Sequence, residues 1–146
     1  MKLFQIEEPD GSPSDPDAPG AAIGIDASGK LAQVAFAVGG NVVILADREG
    51  FERDLPVPGP EGDWQALFEG AKLRAERSLG RPATHAVMAL IAAPDRVLAA
   101  RLIAASEAAG VELMRTVAVS ELRSGDAAAE AAAIMAEDIA PRPEAP

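Results

Sequence analysis

Short apolar runs separated by small, turn-forming residues follow the first twenty residues of the chain. Residues 23–26 form an apolar run that ends on a carboxylate, residues 31–38 form a second run, and residues 42–46 form a third. The Gly-Gly-Asn sequence at 39–41 separates the last two runs, and these residue types adopt positive φ with little strain. The pattern predicts a meander of three short strands.

The apolar pattern then changes to a repeat of three and four residues, after a segment at 47–62 that is rich in proline and glycine. We expect that segment to be a loop, attached to the body by Phe51 and Leu55. Asp63 has the character of an N-cap for a helix that runs to about Leu79. Its predicted apolar face consists of Trp64, Leu67, Phe68, Ala71, Ala75 and Leu79.

Two more helices are predicted further along the chain. Gly80 ends the first helix, and Pro94 with Asp95 opens a second helix that Gly110 ends. An alanine-rich segment, residues 124–139, predicts the third helix. The inner face expected for the second helix, with Arg101 at its rim, is Val97, Leu98, Leu102, Ala105, Ala108 and Ala109.

Two apolar runs of strand length, residues 84–92 and 111–119, alternate with these helices. An almost unbroken apolar run is typical of a parallel strand that is covered on both faces. The resulting order, β-β-β-α-β-α-β-α, predicts an α/β fold with a mixed five-stranded sheet and a central first strand. This order matches the ribonuclease-H-like, actin-like ATPase fold.

Composition limits the classes of partner. The net charge of −10 and the pI near 4.5 argue against a nucleic-acid partner and against an anionic membrane surface, because both require clustered Lys and Arg. The chain has no cysteine, which excludes disulfides and cysteine metal sites. Aromatic residues make up only 3% and alanine dominates the apolar residues, so we expect an aliphatic, closely spaced core. Without a membrane-length apolar run or a signal-peptide pattern, we expect a cytoplasmic protein.

The domain organisation predicted from composition is simple. Residues 1–20 are acidic and rich in proline and glycine, which favours a flexible lead-in. Residues 21–140 are expected to form a single lobe, and residues 141–146 a tail.

The segment 24–30 fits most of a phosphate-binding P-loop, G-x-x-x-x-G-K. A P-loop requires Ser or Thr next and a helix behind it, whereas Leu31 follows and a strand is predicted. The alternative is a hairpin turn. Such a turn allows two interpretations. Asp26 and the amides of 28–30 form an anion-binding concavity, or the side chains of Asp26 and Ser28 merely satisfy backbone amides of the turn.

The same residues carry a resemblance to the actin-like ATPase superfamily, and most closely to the DnaK-type seventy-kilodalton heat-shock chaperones. IGIDASGK resembles the first phosphate loop of these chaperones, and GGNVVILADREG resembles the hairpin that follows it. AERSLGRPATHAVMALIAAPDRVLAARLIAASEAAGVELMR is similar to their later strand, helix and strand. The similarity covers about residues 22–123 with the elements in the same order.

The resemblance implies a magnesium-nucleotide site in which Asp26 is the counterpart of the aspartate that holds Mg²⁺ through water. Glu121 resembles the glutamate of the family's N-E-P motif, and Lys72 matches a helix lysine rather than the catalytic one. The catalytic lysine, the second phosphate loop and the adenosine site have no counterpart, and Gly-Lys replaces the Thr pair of the first loop. The degenerate candidate nucleotide-binding residues are therefore Asp26, Ser28, Gly29, Lys30 and Glu121.

These departures favour a non-catalytic protein-binding or assembly module that needs no cofactor. Its expected partner is another protein or a second copy of the chain, bound through the face that the family's second lobe covers. The alternative is a weak Mg-ATP or Mg-ADP binder, or an ATPase, whose cleft is completed by a dimer mate or a second polypeptide. A third possibility places the role in the acidic terminal segment.

Two smaller expectations concern single side chains. Asp26 and Glu121 are candidates for a carboxylate pair at the ends of neighbouring strands, where open α/β sheets bind ligands. His85, the only histidine, is expected to be a sheet-edge residue rather than a metal ligand, because no second His or Cys exists to complete a site.

Overall fold

The computed structural model describes residues 20–46, 54–122 and 127–141. The helices and strands occur in the predicted order. They are β1 (Ala21–Asp26), β2 (Gln33–Val38), β3 (Asn41–Leu45), α1 (Trp64–Leu79), β4 (Ala83–Leu90), α2 (Arg96–Ala109), β5 (Glu112–Ala118) and α3 (Ala128–Ile139), with a short 3₁₀ helix, Val119–Glu121, after β5.

The five strands form one mixed sheet in the order β3-β2-β1-β4-β5. β1 is parallel to β4, β4 is parallel to β5, and β2 runs antiparallel to both β1 and β3. The predicted α/β class, the five-stranded mixed sheet and the central position of the first strand are confirmed. The carboxyl ends of β1, β4 and β5 consequently meet at one edge of the sheet, which we call the carboxyl edge.

The first two helices begin and end at the predicted capping residues. The side chain of Asp63 accepts a hydrogen bond from the Ala66 amide at 3.0 Å, and Asp95 accepts one from Leu98 at 2.8 Å. Gly80, at φ 71°, closes α1 in the left-handed conformation that glycine adopts without strain. Local sequence therefore determines the ends of these helices.

The helices cover the sheet unequally. α1 and α2 pack on one face over a core that includes Phe68, Ile23 and Met88, all of which are fully buried. α3 packs on the other face, where its alanines meet small residues of β1 and β2, namely Ala22, Ala35 and Ala37. The predicted closely spaced core is largely aliphatic, as expected, and Phe68 and Trp64 are its aromatic members.

Small residues bring α3 unusually close to β1. A methyl group placed on Gly24 would lie 2.2 Å from the backbone nitrogen of Ala133. At the far end of the helix, the carboxylate of Glu137 accepts a hydrogen bond of 2.6 Å from the amide of Gly39 in the β2–β3 turn. α3 is thus held to the sheet both by close packing and by a polar contact.

The predicted inner face of α2 is partly wrong. Val97 is 65% exposed and Ala108 is also exposed, whereas Leu102 and Ser106 are fully buried. α2 lies beside α1 rather than centrally over the sheet, so a narrower stripe of its surface is covered. The hydroxyl of Ser106 donates to the carbonyl of Ile103 at 2.9 Å, which allows this polar residue to be buried.

Several expectations lie partly outside the described residues. The expectations for residues 1–19, for Phe51, for the start of the third helix and for residues 142–146 of the tail lie outside the described residues. Leu55 is described, and it is buried as expected. Within the described part of the chain, the helices are too short or too polar to cross a bilayer.

Candidate functional site

The turn after β1 is organised by the side chain of Asp26. Its Oδ1 accepts hydrogen bonds from the Ser28 amide at 2.9 Å and from the Ser28 hydroxyl at 2.6 Å. The amide of Ala27 donates to the carbonyl of Ala89 on β4 at 2.8 Å and keeps the turn in line with the sheet. The expectation that Asp26 satisfies a backbone amide of the turn is confirmed, whereas the Ser28 hydroxyl donates to Asp26 and not to the backbone. The predicted strand, rather than a helix, after the turn is also confirmed.

The proline-rich segment before α1 pairs with this turn, which the sequence pattern did not indicate. The Ala32 amide donates to the Leu55 carbonyl at 2.7 Å, and the Val57 amide donates to the Lys30 carbonyl at 2.9 Å. These bonds flank an isolated bridge between Leu31 and Pro56. Residues 55–60 of this segment therefore form a wall beside the turn.

A cleft of about 370 Å³ lies between that wall, the turn and the end of β4. We call it the strand-end cleft; its lining residues are Ala27, Ser28, Gly29, Lys30, Val57, Pro58, Gly59, Pro60, Trp64, Leu90, Ile91, Ala92 and Leu98. It sits at the carboxyl edge, where open α/β sheets place their ligands. Three of the candidate residues, Ser28, Gly29 and Lys30, line it.

Trp64, the first residue of α1, contributes a buried aromatic surface to this cleft. The residue is 5% exposed, and its Nε1 has no hydrogen-bond partner among the described residues. Most buried polar side-chain atoms in proteins are paired, so an unpaired indole N–H at a cleft is a chemically informative exception. The sequence pattern assigned Trp64 only to the apolar face of its helix, and helical spacing gives no signal for an unpaired donor.

Glu121 lies apart from Asp26. Its Oε1 accepts a hydrogen bond from the amide of Ala118 at 2.8 Å, and the residue is exposed. Because β4 lies between β1 and β5, the two carboxylates follow strands that are not neighbours, roughly 10 Å apart across the sheet. The expected pair at neighbouring strand ends is therefore wrong.

The remaining singled-out side chains have local partners. His85 lies on β4, which is not an edge strand; its Nδ1 is 2.7 Å from the Thr84 hydroxyl and its Nε2 is 3.6 Å from Glu112. Lys72 forms an ion pair with Glu76 on the same helix. The expectation that His85 is a sheet-edge residue is thus wrong, because β4 pairs with β1 on one side and with β5 on the other.

Metal binding has little support in the described ranges. They contain no group of three or more His, Asp or Glu side chains that is suited to hold a metal ion. Asp26 as a magnesium-side residue, bound through water, stays a prediction.

A second surface feature adjoins the strand-end cleft. Ile91 is 72% exposed and Val97 is 65% exposed, the two highest values among the large hydrophobic residues described. With Pro60, Ala92 and Ala93 they form what we call the carboxyl-edge patch, around a hollow of about 410 Å³. The charged residues lining the same hollow are Glu61, Asp95 and Arg101.

Comparison with known proteins adds no assignment. The chain matches no protein-family model, and no curated protein matches it in a sequence search. The geometry of the two neighbouring features therefore carries the functional argument.

Proposed function

We propose that the chain is a single lobe of the ribonuclease-H-like, actin-like ATPase class that acts as a non-catalytic protein-binding and assembly module. The central first strand, with β4 and β5 added beside it, supports this fold assignment. The non-catalytic character is supported by Asp26 and Glu121, whose carboxylates hold the backbone near them and do not converge. The partner that we assign to the module is a second copy of the chain.

The observation that carries this proposal is the exposure of Ile91 and Val97 at the carboxyl edge. Exposed apolar side chains beside one another, with charged residues around them, are typical of protein interaction surfaces. Two-fold pairing brings the same patch from each copy together, so Arg101 of one copy can meet Glu61 or Asp95 of the other. The patch is thus self-complementary in charge although the chain as a whole is acidic.

Sedimentation equilibrium over a wide concentration range tests this self-association. We expect a monomer–dimer equilibrium, and we expect the double variant Ile91→Ser, Val97→Ser to weaken it by at least tenfold, the effect of losing about 1.4 kcal/mol of apolar burial. Ile103→Ser is the matched control, because Ile103 is 49% exposed on the same helix as Val97 but lies outside the patch. A wild-type chain that stays monomeric at the highest concentration, or a double variant that dimerises as well as wild type, would overturn the proposal.

A second candidate, a weak magnesium-nucleotide binder, is favoured by the position of the strand-end cleft against residues 27–30. Isothermal titration with Mg-ATP and Mg-ADP separates the candidates. The leading proposal expects no saturable heat at millimolar nucleotide. Micromolar binding that is lost in Asp26→Asn, but kept in the exposed control Asp54→Asn, would establish the second candidate instead.

A further inference from the structure

The strand-end cleft combines apolar walls with very few polar groups. Val57, Leu90 and Leu98 supply aliphatic surface, and the polar side chains that line it are Ser28, Lys30 and Trp64. Lys30 is the only charged residue among the described lining residues, and the nearest carboxylate known from a contact is that of Asp26, which is hydrogen-bonded to Ser28 behind the lining. An apolar surface with one cation is suited to a molecule that has an apolar body and one negative group.

The unpaired indole of Trp64 adds an independent requirement. A buried donor without an acceptor costs free energy relative to a paired one. Nε1 has almost no accessible surface in this structure, so a ligand that supplies the acceptor recovers that energy together with a rotation of the indole toward the cleft. The indole N–H donates only, so the ligand group must carry an acceptor oxygen. A carboxylate meets this requirement together with that of Lys30, because it is anionic and has two acceptor oxygens.

We propose that the strand-end cleft binds a small monocarboxylate with an aliphatic or aryl body. The carboxylate accepts a hydrogen bond from Nε1 of Trp64 and is neutralised by Lys30, while the body packs on the aliphatic wall. This site goes beyond the proposed function, because it requires neither a second chain nor a nucleotide.

The chain carries its own reporter for this site. Trp64 is the only tryptophan and there is no tyrosine, so the fluorescence of the protein reports on this indole. Titration with octanoate, at a protein concentration where the chain is monomeric, is expected to give a saturable change in emission. Octanamide and octylammonium have the same body with a neutral or a positive group, and we expect both to bind at least tenfold more weakly.

Two substitutions test the assigned contacts. Lys30→Gln is expected to weaken octanoate binding about threefold, the usual scale for an exposed ion pair, and to leave octanamide binding unchanged. Arg115→Gln is the control, because Arg115 is exposed and lies outside the cleft lining. It removes one positive charge, as Lys30→Gln does, and should leave octanoate binding unchanged. Trp64→Phe, measured by isothermal titration, is expected to weaken octanoate binding about tenfold, because a hydrogen bond to a charged group is lost.

Trp64 also lines a shallower hollow of about 290 Å³ that includes Ala104, so the site must be located independently of the indole. Gly59→Leu places a side chain in the strand-end cleft and is expected to abolish octanoate binding. Ala104→Leu obstructs the other hollow and is expected to leave binding unchanged. Three results would overturn the inference. The first is binding that is lost in Ala104→Leu but kept in Gly59→Leu. The others are a Lys30→Gln variant that binds octanoate like wild type, and the absence of a saturable signal at millimolar octanoate.

These results are separable from those for self-association. Lys30, Gly59 and Trp64 are varied for the ligand site, whereas Val97→Ser alone is the dimer variant for this comparison, because Ile91 lines the strand-end cleft as well as the patch and Val97 lines only the hollow of the patch. Loss of one property with retention of the other therefore identifies which proposal fails.

Discussion

Gly24→Ala is expected to lower the free energy of unfolding by about 3 kcal/mol, at the upper end of the usual cost of overpacking. The added methyl group would lie 2.2 Å from the Ala133 nitrogen and 2.7 Å from the Ala129 carbonyl oxygen. Both are backbone atoms of α3, so the helix must move as a unit, which opens the packing against β1 and β2. Urea unfolding followed by circular dichroism measures the change.

Gly29→Ala is the matched control for this substitution. Gly29 precedes β2 in the turn after β1, and a methyl group there meets nothing within 4 Å. Its effect should be neutral or slightly stabilising, up to about 0.5 kcal/mol, because alanine restricts the unfolded chain. Equal midpoints for the two variants would contradict the close approach of α3 to the sheet.

Phe68→Ala is expected to lower the free energy of unfolding by about 4 kcal/mol, since it removes a buried ring and leaves a cavity. Phe68 is 0% exposed in the layer between α1 and the sheet. Urea unfolding followed by circular dichroism measures this loss of stability as well.

Leu73→Ala on the same helix provides the comparison. Leu73 is 46% exposed, so its loss should cost at most about 1 kcal/mol. A Phe68→Ala variant that is no less stable than Leu73→Ala would show that α1 does not pack on the sheet in this orientation.

Much of the fold could be predicted because its signals are local. Asp63 and Asp95 precede their helices as N-caps, and Gly80 and Gly110 end them in the left-handed conformation. Each of these residues acts on the backbone within four positions of itself, so the sequence alone contains the information. The strands were predicted for the same reason, from runs of β-forming residues between turn residues.

Features that depend on distant parts of the chain were missed. The exposure of Val97 and the burial of Ser106 depend on how α2 lies beside α1, which periodicity within α2 does not contain. The separation of Asp26 and Glu121 depends on the lateral order of strands. Similarly, the wall of the cleft exists because Leu55 pairs with Ala32 and Val57 pairs with Lys30, whereas a proline-rich composition predicts only a loop.

The position of α3 along the chain has a consequence for folding during synthesis. The helix covers small residues of β1 and β2, and its Glu137 contacts Gly39 across 98 positions of sequence. Until residues 128–139 have left the ribosome, one side of the sheet has no cover. Contacts this distant in sequence form slowly, because the intervening chain must first be ordered. The nascent protein therefore completes its core only after α3 emerges, and chaperone protection would matter most in that interval.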